Sequence, residues 1–418
     1  MIHTVNTSLH TFFTQMKKMK ILIILFLVIK GTSAQSCKEG SVEHDHLGQR
    51  RTCRGGKWSA PCRVRREWNG MLPGERYRFI STLKKASTRS DYRNLVIRHT
   101  KQFSNIHNNR QFLPWHRWYL LQMENILRKV DPIVTVPYWD WSLWSGAPWL
   151  DKVMSTWSNA PWGLGSNGGR DGCVYNGPFG KRHFTLTSGG CLKRNFNGNP
   201  PDCIAVHKCL RILSNKFTDF EMTLRDTLHN NMHCRIGGRG GTMCSRQSAN
   251  APEFLLHHAF TDKLWSDWQK KGTRYKNAYF PGTIYLYGVS PRLRPLNLMD
   301  LSRQPGGVCV TYDDPPHENY KLCHEQLASL SLAEIDAIPR QKFTRLSSLE
   351  FDLFMTRKRE KAQVNREMND LEPKHVLSKS TKLNSQDNQL GFKAEDVKEA
   401  IKRKKKKREE IIMKSNFH

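Results

Sequence analysis

Six histidines of this chain fall into two groups of three, and each group lies beside an aromatic run: His99, His107 and His116, then His229, His233 and His258. A single histidine on an apolar face is most often a hydrogen-bonded core residue. Clustering changes this expectation, because each buried imidazole left without a partner costs roughly 1–3 kcal/mol. The two groups therefore predict two metal ions, each bound by three imidazoles.

The spacing of the second group suits a site between two helices. His229 and His233 are four residues apart in a segment predicted to be helical, so both rings leave the same face. His258 belongs to a second predicted helix, in which Asp262 follows one turn later and is expected to orient an imidazole. His257 points about 100° away from His258 and is expected to be supporting structure or pocket wall. Two histidines from one helix and one from a facing helix fit a metal site in a four-helix bundle.

The donor types narrow the choice of metal, since no carboxylate accompanies the histidines. Neutral imidazoles suit copper, zinc, iron and nickel. Iron oxygenases usually add a carboxylate to two histidines, and two-metal hydrolases usually bridge their ions with carboxylates. A zinc site of three histidines would explain one group but not both. Ligation by imidazoles alone keeps negative charge low and favours copper that returns to its +1 state. The sequence therefore predicts two copper ions and a redox enzyme that uses dioxygen.

Apolar periodicity indicates a mainly α fold, with helical segments predicted over residues 64–83, 92–99, 115–129, 212–233 and 252–271. The first of these is interrupted at Pro73-Gly74, and the third is entered through Pro114. Residues 131–203 are rich in Trp, Gly, Pro and Asn, which predicts a long irregular excursion braced by disulfides. A short strand is predicted within 306–312.

The chain of 418 residues is predicted to have four parts: a leader and signal peptide over residues 1–34, a Cys-rich arm over 35–62, a copper domain over 63–335 and a basic tail over 336–418. Basic residues before the apolar run 21–29, and small residues before Gln35, are typical of a secretory signal. Charge dominates the tail, and Lys402 to Arg408 are seven consecutive basic residues. We expect this tail to be partly helical, around 348–370, or disordered.

Eleven cysteines and a net charge of +30 indicate in which compartment the protein works and which kinds of partner it favours. Disulfides are typical of exported proteins, and the odd count leaves at least one cysteine outside an intramolecular disulfide. We predict an extracellular protein, or one in a secretory vesicle, with no membrane partner after signal removal. The positive charge favours anionic partners, of which extracellular matrix at the basic tail is one, whereas nucleic acid is not expected.

Four separated motifs resemble, in the family's order, the tyrosinase group of type-3 copper proteins. They are Phe112-Leu-Pro-Trp-His-Arg-Trp-Tyr119, Val136-Pro-Tyr-Trp-Asp-Trp141, His229-Asn-Asn-Met-His233 and Ser248-Ala-Asn-Ala-Pro-Glu-Phe-Leu-Leu-His-His-Ala-Phe-Thr-Asp262. The resemblance covers roughly residues 60–330. The chain departs from the family at Ala251-Pro252, where Asp-Pro is common, and this is expected to loosen a turn or helix cap.

The resemblance implies that six histidines bind two coppers: His99, His107 and His116 for copper A, and His229, His233 and His258 for copper B. It implies dioxygen as co-substrate, hydroxylation of small phenols or tyrosyl side chains, and oxidation of the o-diphenol to an o-quinone. Asn230 matches the family position that helps to hold a water accepting the phenol proton. Glu221 is the acidic companion that we expect for it, and Phe254 is expected to wall the site.

Three other functions stay open. A catechol oxidase would oxidise diphenols without hydroxylating monophenols, and the motifs do not separate the two. An oxygen carrier resembling haemocyanin would bind dioxygen reversibly without forming quinone, although the chain has no internal repeat. A basic matrix protein with a relict site would hold less than one copper per chain.

Overall fold

The computed structural model describes residues 37–44, 50–58, 62–107, 109–282, 284–315, 318–338 and 391–415, with side chains as far as residue 406. The chain forms two compact units, residues 1–62 and 63–418. The predicted leader and signal peptide, and the predicted tail helix around 348–370, lie outside the described residues.

The described part of the first unit is a small antiparallel sheet. β1 (Val42–His44) pairs with β2 (Arg50–Arg54), and β2 turns back into β3 (Lys57–Trp58). Gly55-Gly56 forms the turn with φ angles of 59° and 71°, a left-handed conformation that glycine adopts without strain. The Cys37–Cys53 disulfide closes the unit against β2.

The second unit is rich in helices, as predicted. Their bounds are α1 Pro73–Ser87, α2 Ser90–Ile106, α3 Phe112–Arg128, α4 Cys203–Leu210, α5 Phe217–Met222, α6 Asn230–Gly237, α7 Glu253–Gln269, α8 Thr273–Lys276, α9 Glu318–Tyr320, α10 Leu332–Asp336 and α11 Ala394–Ser415. Two π-helical segments, Thr223–His229 and Lys321–Gln326, continue α5 and α9. Short 3-10 turns occupy Trp68–Gly70, Trp141–Trp144, Ser214–Lys216, Ser248–Asn250, Pro295–Leu298, Leu301–Arg303 and Leu327–Ser329. The strands are β4 (Cys62–Arg65) and β5 (Cys309–Tyr312), and the latter confirms the strand predicted within 306–312.

The prediction of helix over 64–83 is wrong in its first half. The chain there forms β4 and a 3-10 turn, and α1 begins only at Pro73. Proline suits the first helical turn because its missing N–H has no intrahelical partner there. Pro114 obeys the same rule, since it lies in the first turn of α3.

α7 is the helix around which the site is built. Nearly every residue of it is buried, and it packs against α3, which in turn packs against α2. The segment after α3 also crosses α7, where the Trp139 N–H donates to the Leu256 carbonyl at 3.2 Å. The arrangement of four helices as one bundle stays a prediction.

The stretch between α3 and α4 is mostly irregular, as predicted, and disulfides brace this part of the unit. Cys173–Cys191 closes a loop within the excursion, whereas Cys203–Cys323 joins α4 to the π-helical turn after α9. Cys209 is buried with its thiol outside any disulfide, which accounts for the odd cysteine count.

The sequence predicts a tail that is partly helical or disordered, and its described residues form α11. Phe392 and Val397 are buried in an apolar cluster with Ile335 and Ile338, close to the Cys203–Cys323 disulfide. These two apolar residues anchor the basic helix, since burial of apolar surface offsets the entropy lost on ordering. The amino-acid composition of the tail, in which lysine is abundant, does not reveal these two buried residues.

In the described part of the chain, we find no helix whose length and apolar character would allow it to cross a membrane.

Candidate dinuclear metal centre

The first histidine triad is built by the end of α2, the loop after it and the start of α3. His99 lies on α2, His107 caps its C-terminus and His116 lies in the second turn of α3. All three rings are buried, and one nitrogen of each lies within 4.8 Å of those of the other two. The structure therefore brings these three predicted residues together, His99 included.

Backbone carbonyls one helical turn away orient two of these rings. His107 Nδ1–H donates to the Phe103 carbonyl at 2.9 Å, and His116 Nδ1–H donates to the Phe112 carbonyl at 2.8 Å. A carbonyl can only accept, so the proton resides on Nδ1 and leaves Nε2 with a lone pair. Among the described residues, neither Nε2 atom has a hydrogen-bond partner, and neither ring nitrogen of His99 has one.

The second triad brings three Nε2 atoms together. His229 and His233 lie on the continuous helix formed by the π segment and α6, and His258 lies on α7. Their Nε2 atoms are 3.0 Å apart for His229 and His233, 3.1 Å for His233 and His258, and 3.2 Å for His229 and His258. The three Nε2 atoms converge on one point, which is the donor arrangement of a trigonal metal site.

Two of these rings have orienting partners: a backbone carbonyl further along the chain orients one, and the side chain of the next residue orients the other. His233 Nδ1–H donates to the carbonyl of Met243, ten residues later, at 2.8 Å. His229 Nδ1–H donates to Oδ1 of Asn230 at 2.9 Å, and Nδ2 of Asn230 donates to Asp226 at 3.2 Å. Such outer partners fix the tautomer and the angle of a metal-binding imidazole.

His257 competes with His258 for the second triad, because a nitrogen of His257 also lies within 4.8 Å of nitrogens of His229 and His233. The hydrogen bond that His257 makes indicates that it is a poorer metal donor than His258. His257 Nδ1 accepts from the Trp141 indole N–H at 3.2 Å, so the ring proton must reside on Nε2. The ring also stacks on His229, with centroids 5.0 Å apart. These contacts favour His258 as the third donor and His257 as wall.

The two triads face each other. The rings of His116 and His258 stack with centroids 4.4 Å apart, and those of His107 and His229 are 6.2 Å apart. Phe254 lies against both triads, with its centroid 4.0 Å from that of His258 and 5.0 Å from that of His99.

Burial holds all six imidazoles neutral. It is the main cause that lowers the pKa of each ring, to about 3 for His116 and about 4 for His233. For the rings other than His233, the neighbouring imidazoles lower the pKa further, because two positive rings so close together would repel each other. His99, His107, His229 and His258 all have pKa values well below that of free histidine. Neutral imidazoles are the form of histidine that binds copper, so the donor set fits two copper ions.

The structure places Asp262 away from the histidines, so the expectation that it orients an imidazole is wrong. Its carboxylate accepts hydrogen bonds from Arg117 at 2.5 Å, Arg65 at 3.2 Å and the Tyr312 hydroxyl at 2.7 Å. Asp262 therefore fixes α7 to α3 and β4. Sequence spacing gave its helical face correctly, but the arginines that take this carboxylate come from distant segments.

Glu221 and Asn230, the two residues predicted to handle the phenol proton, are both buried, and Asn230 contacts His229 of the second triad. The Glu221 carboxylate accepts from Arg225 Nε at 2.9 Å, and Arg225 Nη1 donates to Asp226 at 2.8 Å. The sequence interpretation missed Asp226, although it lies four residues before Asn230, on the same helical face. The i, i+4 spacing was the signal that could have found it.

The expected loosening at Ala251-Pro252 is offset by a buried ion pair. Glu253, the first residue of α7, accepts two hydrogen bonds of 2.9 Å from Arg194, and both side chains are fully buried. Arg194 also donates to the carbonyls of Leu164 and Gly165, so the excursion holds the start of α7.

The part of the chain that carries the histidines is similar in sequence to known tyrosinases. Residues 89–271 match the family model described as the common central domain of tyrosinase. The chain is 33% identical to the tyrosinase of Streptomyces glaucescens over 46% of this chain and 74% of that one. It is 30% identical to Hemocyanin 2 of Megathura crenulata over 47% of this chain and 6% of that one. Among solved structures, a polyphenol oxidase mutant from Thermothelomyces thermophila has a TM-score of 0.48 at 21% identity, over 60% of this chain and 89% of that one.

The family implies a dicopper site, and this chain carries two facing histidine triads that could hold the two ions. The chain belongs to the tyrosinase family and is a copper-dependent oxidoreductase.

Proposed function

We propose that the protein is a phenol oxidase that hydroxylates monophenols and oxidises o-diphenols to o-quinones with dioxygen. His99, His107 and His116 would hold one copper, and His229, His233 and His258 the other. The observation that carries the proposal is the pair of facing triads: the three Nε2 atoms of the second triad converge, and the Nδ1–H groups of His107, His116, His229 and His233 are bound elsewhere. The overall reactions balance: monophenol and dioxygen give o-quinone and water, and two diphenols with dioxygen give two quinones and two waters.

When bound, the two copper ions supply dioxygen binding and electron transfer to and from the phenol. The protein supplies a dry and rigid surround. Phe254 excludes water from the rings of His99 and His258, which it contacts on both sides of the centre. Its apolar face would also pack against the ring of a bound phenol.

A monophenol must lose its hydroxyl proton before it is hydroxylated, and we propose that Asn230 takes part in this step. Its amide is fixed by two contacts, one to His229 and one to Asp226, so it can hold a water in one place. Glu221 is the acidic companion predicted from the sequence. The direct contact favours Asp226 in this role, because Asp226 binds Asn230 and Glu221 binds Arg225.

Paired variants separate these two carboxylates. Both carboxylates contact Arg225. Asp226→Asn and Glu221→Gln each remove one charge with little change of shape, whereas Asp226→Gln would also change the size of the side chain. We expect Asp226→Asn to lower monophenol hydroxylation more than diphenol oxidation, with Glu221→Gln as the matched control. Equal loss of both activities in Asp226→Asn would contradict the assignment, and a selective loss in Glu221→Gln would restore the sequence-based one.

The function is tested with the copper-loaded protein by assaying tyramine and catechol side by side. Quinone formation from both supports the proposal. Oxidation of catechol alone would identify a catechol oxidase without monophenol activity, and fewer than two coppers per chain would contradict the dinuclear site.

An oxygen carrier is the second candidate, and the match to Hemocyanin 2 favours it. Such a protein would bind dioxygen reversibly and release it unchanged. Reversible oxygenation at low pressure with no quinone formed from catechol would establish this function in place of the oxidase.

We further propose that the protein is secreted and that quinones are formed outside the cell. The disulfides are typical of an oxidising compartment. The exposed basic side chains of α11, including Lys402 and Lys405, are available for anionic extracellular polymers. Retention on a sulfated polysaccharide column that falls with salt, and that is lost when the basic residues of Lys402–Arg408 are neutralised, supports this partner.

A further inference from the structure

We propose that the Cys234–Cys244 disulfide is a positioning element for the copper ligand His233, acting through the backbone carbonyl of Met243. The inference rests on the proposed copper site. The disulfide joins the residue that follows His233 to the residue that follows Met243, so it links the two partners of one hydrogen bond at adjacent positions.

The geometry around the bond is tight. The Cα atoms of Cys234 and Cys244 are 4.6 Å apart, and the Met243 carbonyl lies 2.8 Å from His233 Nδ1. Both cysteines are buried, as is Met243. The crosslink therefore keeps the carbonyl at a fixed distance from the ring, and burial keeps reductants away from it.

Among the four rings with an orienting partner, His233 is the one whose partner is not fixed by helix geometry or by chain connectivity. The carbonyls that orient His107 and His116 lie four residues earlier, next to or within the helix that carries the ring, and the side chain that orients His229 belongs to the next residue. Helix geometry or chain connectivity fixes these partners. Met243 lies in a loop after α6, and neither fixes its carbonyl relative to the ring.

Glycines let this loop return so closely. A Cβ atom on Gly237 would lie 2.3 Å from the backbone N of Cys244, and one on Gly241 would lie 1.9 Å from the Gly237 carbonyl oxygen. Gly238 ends α6 with φ of 53° and donates to the Cys234 carbonyl. Only a chain without side chains at these positions can bring Cys244 back beside Cys234.

The far side of the loop is held by the excursion. Thr242 N–H donates to the Lys193 carbonyl at 2.9 Å, and Lys193 N–H donates to the Thr242 hydroxyl at 3.0 Å. The loop is thus fixed at Thr242 by hydrogen bonds and at Cys244 by a covalent bond. Met243 lies between these two fixed points, which restricts the orientation of its carbonyl.

Without the crosslink, we expect the His233 ring to lose its fixed tautomer. When Nδ1–H has no acceptor, the proton can reside on Nε2, and that tautomer cannot bind copper through Nε2. Loss of an outer partner of a metal-binding histidine typically lowers metal affinity 10–100-fold. The effect should fall on one of the two coppers, because the first triad takes no contact from this loop among its described ring partners.

The test compares two double variants, C234S/C244S and C37S/C53S, in the full chain. The control removes a disulfide of 16 rather than 10 residues of separation that belongs to the first unit, and it leaves Lys193 and its neighbour Cys191 unchanged. We expect C234S/C244S to lose one copper at a chelator concentration at least about tenfold lower than wild type. The control should keep both coppers at wild-type affinity.

A readout without copper distinguishes positioning from stability. With ¹⁵N-histidine in the metal-free protein and His233→Gln for assignment, His233 should show one tautomer in wild type and in the control, and exchange in C234S/C244S. Equal copper retention by both variants, or an unchanged His233 signal, would overturn the proposal. If wild type itself binds fewer than two coppers, the proposed function fails, while the metal-free measurement still decides the role of the disulfide.

Discussion

The two histidine triads reach the same chemistry by different routes. In the first, His107 and His116 are oriented by carbonyls one turn away, so the helices that place the rings also set their tautomer. In the second, His229 depends on a neighbouring side chain and His233 on a loop carbonyl. The orientation of His107 and His116 is therefore a property of local helical structure, whereas the second triad depends on a neighbouring side chain and on a loop carbonyl, which substitutions can remove or displace.

This difference predicts where the site is fragile. No side-chain substitution removes the carbonyl of Phe103 or Phe112, whereas the Asn230 side chain that orients His229 can be deleted, and the loop that positions the Met243 carbonyl can be released by removing its disulfide. Substitutions around the second triad should therefore change copper binding more than comparable ones around the first. Four experiments test this, from the largest expected effect on copper binding to the smallest.

Replacing a donor of the second triad should have the largest effect. His258→Ala removes one of three converging nitrogens, and we expect loss of one copper and a fall in activity of more than about 100-fold, beyond the effect of losing an outer partner. His257→Ala is the matched control, since that ring bonds to Trp141. Copper analysis and catechol oxidation measure both. Copper loss in His257→Ala with retention in His258→Ala would reverse the assignment.

Removing the orienting side chain of His229 should have an intermediate effect. Asn230→Ala deletes the acceptor for His229 Nδ1–H, and we expect copper affinity to fall about 10–100-fold at one site. Chelator competition at neutral pH gives the two affinities separately. If both sites weaken equally, the distinction between the triads is wrong.

Breaking the ion pair at the start of α7 should act mainly on stability. Arg194→Ala leaves the Glu253 carboxylate buried and unpaired, and we expect a loss of about 3–5 kcal/mol in the free energy of unfolding. Copper affinity should fall less than in Asn230→Ala, because α7 as a whole is also held by Asp262. Urea unfolding measures the change. The double variant R194M/E253L, which removes both charges, should recover most of it; no recovery would show that the charges are not the cause.

Glu67 offers a reference outside both triads. Burial first, and then repulsion from Asp140, raise the pKa of Glu67 from 4.5 to about 8. Between these values the folded state keeps a proton that the unfolded state releases, so this group lowers stability as pH rises from 4.5 to 8. Glu67→Gln should remove that loss and leave copper binding unchanged. Unfolding midpoints at pH 5 and pH 8 that shift in parallel for variant and wild type would contradict this.

Local patterns predicted much of the site. The i, i+4 spacing of His229 and His233 and the aromatic run before His116 located the donors, and the structure brings them together with His99. The wrong expectation for Asp262 has a clear cause: helical periodicity gives the face of a residue but not the partner from a distant segment that occupies it. The sequence could not predict the contact between the Met243 carbonyl and His233 for a related reason, because a backbone acceptor in a loop has no sequence signature.

The tail shows the same limit at the level of folding. Its many lysines predict a solvated chain, and the two anchors Phe392 and Val397 are too few to alter the composition. Burial of those two residues depends on an apolar surface that the rest of the unit provides, which periodicity within the tail cannot show.

The Cys203–Cys323 disulfide spans 120 residues of sequence, and this has a consequence for how the molecule survives damage. The intervening segment includes His229, His233 and His258, together with the surface loops after α8. A protease that cuts once in such a loop would yield two polypeptides that remain tethered as a single particle, with all six histidines retained. The nick would be visible by gel electrophoresis only after a reductant is added.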